Sequence, residues 1–99
     1  MDLLKLQKEV FHNKIEKGFN TTDIFKEFCL LYGEVGEAHD AYLKKKDDLG
    51  EELADVAIYL LGLSEMLGVD LQKEIENKVA KNKNRKYKNV DGFNMRVSE

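Results

Sequence analysis

The sequence predicts an all-α fold, a small four-helix bundle assembled as a homo-oligomer. Three observations carry this. Apolar residues recur at spacings of three and four, the period of a helix with one buried face. Gly, Asn and Asp punctuate the chain into four such segments, and proline is absent from all 99 residues. One segment, Leu53 to Leu63, carries a single charge, Asp55, and is apolar on every side.

In chain order, helices are expected at about residues 2–17, 21–44, 49–67 and 70–87, followed by an irregular C-terminal tail. The first places Leu3, Leu6, Val10, Phe11 and Ile15 at helical spacing, with Gly18 as its C-terminal cap. Asn20 and Thr21 are the N-cap candidates of the second, which carries Ile24, Phe25, Phe28, Leu31, Tyr32, Val35 and Ala38. Lys44, Lys45 and Lys46 would complement the dipole at its end. Asp48-x-x-Glu51 has the form of a capping box before the third helix, which Gly68 ends. Asp70 would cap the fourth, running through Leu71, Ile75 and Val79 to Tyr87, before a tail containing Asn89, Asp91, Gly92 and Asn94. Short connections make successive helices antiparallel neighbours. A third helix apolar all round must be buried all round, and three short neighbours cannot enclose it. A second copy of the chain would cover the remaining face; the alternative is a monomer with one very well packed central helix.

Composition narrows the function classes. Sixteen Lys and Arg against nineteen Asp and Glu give a net charge of −3 with 35% of residues charged, which argues against a polybasic nucleic-acid binder. An apolar content of 42% is too high for a disordered chain. The single cysteine, Cys29, excludes an intramolecular disulfide and a multi-Cys zinc site, and points to the cytoplasm. The longest uncharged run, Val56 to Ser64, is nine residues. A membrane span needs roughly 20 apolar residues, and the N-terminus has no uncharged core of signal-peptide length, so no membrane partner is expected.

The charges are segregated along the chain. Between Glu34 and Asp55 there are eight acids against three lysines; between Lys78 and Lys88 there are six basic residues and no acids. Glu34 and Glu37 are three apart, as are Glu52 and Asp55, so each pair shares a helix face. Antiparallel packing of the second and third helices would converge four carboxylates. Two like charges about 5 Å apart at an effective dielectric near 20 repel by roughly 3 kcal/mol. Such a group needs protons or a cation, and all-oxygen ligation favours Mg²⁺ or Mn²⁺ over zinc. Asp55 inside the apolar run, and Gly36 between the two glutamates, weigh against a merely solvated face. A di-iron centre would need two Glu-x-x-His motifs, and Glu9-x-x-His12 is a single copy. A cation-loaded acidic groove beside a basic helix suits a polyphosphate.

With these motifs in place, the chain resembles the MazG-like nucleotide pyrophosphohydrolases of the all-α NTP pyrophosphohydrolase superfamily. The resemblance rests on Glu34-x-x-Glu37, Glu52-x-x-Asp55 and Lys78-x-x-x-Asn82-x-x-Arg85 in order, and covers roughly residues 3–88. It implies Mg²⁺-dependent hydrolysis of a nucleoside triphosphate between its α- and β-phosphates, giving the monophosphate and pyrophosphate. It also implies Glu34, Glu37, Glu52 and Asp55 as metal-binding catalytic residues, and Lys78, Asn82, Arg85 and Tyr59 as phosphate or sugar contacts. A base pocket would lie against the first helix, with Gln7, Phe11, His12 and Phe19 as candidates by position, and the assembly would be a dimer or a tetramer. Two other readings of the same residues are a non-catalytic nucleotide or metal sensor and a helical protein-interaction module.

Overall fold

A computed structural model describes residues 1–97. Four helices form in the expected order: α1 (Leu3–Lys17), α2 (Ile24–Leu43), α3 (Leu49–Met66) and α4 (Leu71–Lys83). Asp2, Asp23 and Asp70 sit in extended conformation at three of the N-caps, each accepting from the backbone N–H three residues on. Asp23 therefore starts α2, rather than Asn20 or Thr21. Asn20 braces the preceding turn instead: its amide donates to Asp23 O and its Oδ1 accepts from Asp23 N. The capping box at Asp48 does not form, because its side chain makes no cap hydrogen bond. Gly18 adopts the left-handed conformation (φ 72°) in which its N–H and the next close the end of α1.

The C-terminal segment departs from expectation. The helix stops at Lys83, and in place of an irregular tail come two strands, β1 (Tyr87–Val90) and β2 (Phe93–Arg96). They pair antiparallel with Tyr87 opposite Arg96 and Val90 opposite Phe93. The reason is the two-residue turn Asp91-Gly92, with φ of 52° and 83°, which twists the flanking residues into a tight hairpin.

α3 is the central helix, packed along α2 and against α1, while α4 leans on α1. On α2 the small Ala38 and Ala41 are buried, and on α3 Leu61 and Leu63 are. The largest fully buried side chains are nevertheless polar, Gln7 and Glu27. Gln7 joins three helices: its amide donates to Glu65 Oε1 (2.9 Å) and Val69 O (2.7 Å), and its Oε1 accepts from Leu71 N. Gln72 of α4 in turn accepts from Leu3 N and Leu4 N, closing the start of α1. Beyond this junction α4 has no buried residue, and every position of β1 and β2 is exposed. The radius of gyration is 16.6 Å, against about 13 Å for a compact chain of this length. On α3 the apolar circumference is covered unevenly: Leu61 and Leu63 are buried, while Leu53, Ile58 and Leu60 remain exposed.

Replacing Gln7 by Leu strands the Val69 carbonyl and the Leu71 N–H at the α1–α3–α4 junction. The expected loss is about 2 kcal/mol. Urea unfolding measures it, and hydrogen exchange at Leu71 should accelerate more than exchange within α2.

Candidate metal centre

The acidic residues sort by helix face. Along α2, Ile24, Glu27, Leu31, Glu34, Ala38 and Ala41 follow the three–four spacing of the inward stripe, so Glu27 and Glu34 occupy positions that would ordinarily be apolar. On α3, Glu52, Asp55 and Tyr59 rise along one side at spacings of three and four. Packing α2 on α3 brings one carboxylate oxygen each of Glu34, Glu37 and Glu52 within 4.8 Å of one another. Glu34 Oε2 and Glu52 Oε2 are shielded from solvent and accept no hydrogen bond from the protein.

The electrostatics record the crowding. Burial pushes the Glu34 carboxyl above its ordinary value, followed by the charge of Glu37, a hydrogen bond with Glu37, and the charges of Asp55 and Glu52. Glu52 is likewise raised by burial and then by Asp48, Glu37 and Asp55, with Lys46 partly opposing. The Tyr59 phenol is raised by burial and then by Glu34, Glu27, Asp55 and Glu37. Asp55 thus acts on the cluster through its charge without joining the close group of three. Tyr59 belongs to the same groove, as its place one turn beyond Asp55 implies.

The basic end lies apart. Lys78 and Asn82 are exposed, and Arg85 Nη1 donates to Asn82 Oδ1 (2.9 Å) while its Nε has no partner. The leading charges acting on Glu34, Glu52 and Tyr59 belong to α2, α3 and the loop between them, and no cation of α4 is among them. α4 packs on α1, whereas the carboxylates lie on α2 and α3. Gly36 does not mark a close approach within the chain, since a Cβ there would meet open space.

Beside the cluster, between α1 and α3, lies a cleft of about 610 Å³ whose walls include Val10, Lys14, Phe19, Leu30, Ile58 and Tyr59. Of the base-pocket candidates, Phe19 lines it. Gln7 is buried at the helix junction, Phe11 is half-buried outside the lining, and exposed His12 pairs with Glu16 (3.1 Å). Sequence reasoning passed over the polar floor of this region. Lys14 Nζ meets Glu27 Oε2 at 2.6 Å, with both residues buried, and Asn20 Nδ2 donates to the other oxygen of Glu27 (3.2 Å). The signal was available: Leu3, Gln7, Val10 and Lys14 form the inward stripe of α1 as Glu27 lies on that of α2, so a cation and an anion fall on two core stripes.

Three carboxylates from two packed helices thus stand together near a largely apolar cleft. The chain matches the MazG-like family over residues 21–97 and belongs to that family. No curated protein and no solved structure matches it. Among the described residues, no helix is long and apolar enough to cross a membrane.

The raised carboxyls fix a sign for the pH dependence of stability. Above the ordinary value of 4.5, the folded state holds protons on Glu34 and Glu52 that the unfolded chain releases, so stability falls as pH rises through their raised values. Glu65, lowered chiefly by its hydrogen bond from Lys8, contributes stability that is lost only below 4.5, outside that window. In a chelator, the melting temperature should therefore rise as pH is lowered from 7 towards 5. Glu34→Gln should raise it at pH 7. Thermal scans across pH measure both.

Proposed function

We propose that the protein is a Mg²⁺-dependent nucleoside triphosphate pyrophosphohydrolase, cleaving its substrate between the α- and β-phosphates and serving to clean the nucleotide pool. The observation that carries this reading is the Glu34–Glu37–Glu52 group with two shielded, unpartnered oxygens, in a chain of the MazG-like family. The donor set suits a hard divalent cation, Mg²⁺ or Mn²⁺: all ligands are carboxylate oxygens, and their proximity is unfavourable until positive charge arrives. Glu34, Glu37 and Glu52 would hold the ion, with Asp55 adding charge beside them. The bound ion supplies polarisation and charge neutralisation at phosphoryl oxygens.

The chain's own groups account for the rest. Water adds across the α–β anhydride, the P–O bond between them breaks, the monophosphate retains the α-phosphate, and pyrophosphate leaves. A carboxylate of the cluster takes the proton of the attacking water. Tyr59 stands between cluster and cleft, where a sugar would bridge phosphate and base, and Phe19 offers the cleft an aromatic wall. Lys78, Asn82 and Arg85 are assigned to the phosphates. A second copy would bring them there, because α4 packs on α1 while the carboxylates lie on α2 and α3. The same copy would cover Leu53, Ile58 and Leu60 on α3, and Tyr32 and Val35 on α2, all of which are exposed. A single thiol and a balanced charge fit action in the cytoplasm.

Incubation with Mg²⁺ and a panel of canonical and modified deoxynucleoside triphosphates tests the reading. Pyrophosphate should be released, and Glu37→Gln should lower turnover by at least about a hundredfold. Release of single orthophosphate overturns the bond assignment. Saturable binding without turnover favours a sensor, and no Mg²⁺- or nucleotide-dependent change in melting temperature favours an interaction module.

Light scattering at low micromolar concentration should give a mass two or four times the 11.4 kDa of the chain; a stable monomer overturns the assembly.

A further inference from the structure

The buried pair at the floor of the cleft lies against the one residue that borders both cleft and carboxylates. The Lys14 stem crosses α3 at Gly62, where an added Cβ would lie 3.1 Å from Lys14 Cδ, so a bare backbone at 62 lets the side chain pass. Its ammonium then reaches Glu27 Oε2 at 2.6 Å and stands 5.5 Å from the centroid of the Tyr59 ring, over its face. Asn20 holds the other oxygen of Glu27. Tyr59 and Gly62 are one turn apart on α3, so Lys14 is threaded between them. The Tyr59 ring lines the cleft, and its hydroxyl feels Glu34, Asp55 and Glu37.

From this arrangement we propose that Lys14 is a positioning residue: clamped by Glu27 and Asn20, it fixes the Tyr59 ring as the shared wall between the ligand cleft and the carboxylate cluster. A cation over an aromatic face is attracted by the ring's quadrupole, so an ammonium fixed by an ion pair restrains the ring beside it. A rigid wall lowers the ordering cost of binding, which places the effect in affinity rather than in the bond-breaking step. The role in ligand binding rests on the pyrophosphohydrolase reading; the role in fixing Tyr59 does not.

Lys14→Met alone would leave the Glu27 charge buried and unpaired and could unfold the chain. The test therefore uses Lys14→Met/Glu27→Gln, which removes both charges and keeps an oxygen for Asn20. In ligand-free protein with ¹³C-labelled tyrosine, assigned with Tyr59→Phe, the wild-type Tyr59 ring should show restricted flipping that the double variant releases. An unchanged Tyr59 spectrum in a folded double variant overturns the proposal. The second arm measures binding of an α,β-imido deoxynucleoside triphosphate with Mg²⁺. The double variant and Tyr59→Leu should each weaken it by about tenfold, and the triple variant also by about tenfold, because both act through one ring. For the Lys14→Met/Glu27→Gln variant, KM should rise accordingly with kcat nearly unchanged. A triple variant weakened about a hundredfold, the additive result, overturns the proposal. Failure of the wild type to bind the analogue removes the pyrophosphohydrolase reading, and the tyrosine spectra still decide the role of Lys14.

Discussion

The arrangement of the helices depends on a charge pair where apolar packing would ordinarily stand. Lys14 and Glu27 lie on the inward stripes of α1 and α2, and both are buried where those helices pack on α3. Removing one member of such a pair strands a charge away from water at a cost of about 3–5 kcal/mol. α1 and α2 each pack mainly on α3, and the pair joins the two across it, ammonium on carboxylate. Asn20 adds the turn between the helices to the same constraint, and Gly62 ties in α3 by leaving room for the lysine stem.

That constraint sets up the opposite condition a short way along the same faces. Glu27 is compensated; Glu34, seven residues on, is crowded by Glu37 and Glu52 with no cation of its own helices beside it. The inward face of α2 is thus compensated by α1 at one end and crowded against α3 at the other. Small residues, Ala38 and Ala41, let the helices approach closely enough to hold the carboxylates together in spite of their repulsion.

Much of this was legible in the sequence, for identifiable reasons. Helix existence followed from period and punctuation, and Asp70 and Gly18 act as read. The paired carboxylates were visible because spacing of three projects two side chains alike, whatever the tertiary context. What failed needed context. Asp23 outcompeted Asn20 and Thr21 as cap by geometry that composition does not encode. The hairpin was missed because Asp91-Gly92 was read as irregular rather than as a two-residue turn between paired strands. The Lys14–Glu27 pair was missed because the apolar series was followed and its polar interruptions were not. Of the residues named by position for a base pocket, Phe19 lines the cleft, while the Gln7 amide is engaged at the junction with α3 and α4.

The C-terminal hairpin carries a consequence of another kind. With only two strands, β1 and β2 each present an open edge, a row of backbone donors and acceptors able to pair with any extended chain. Val90, Phe93 and Met95 make these edges sticky as well. Four-residue strands, strong twist from the Asp91-Gly92 turn, and Lys88 and Arg96 set within the pairing keep the edges short and charged. Short strands and basic side chains are features that discourage further strand addition at such an edge.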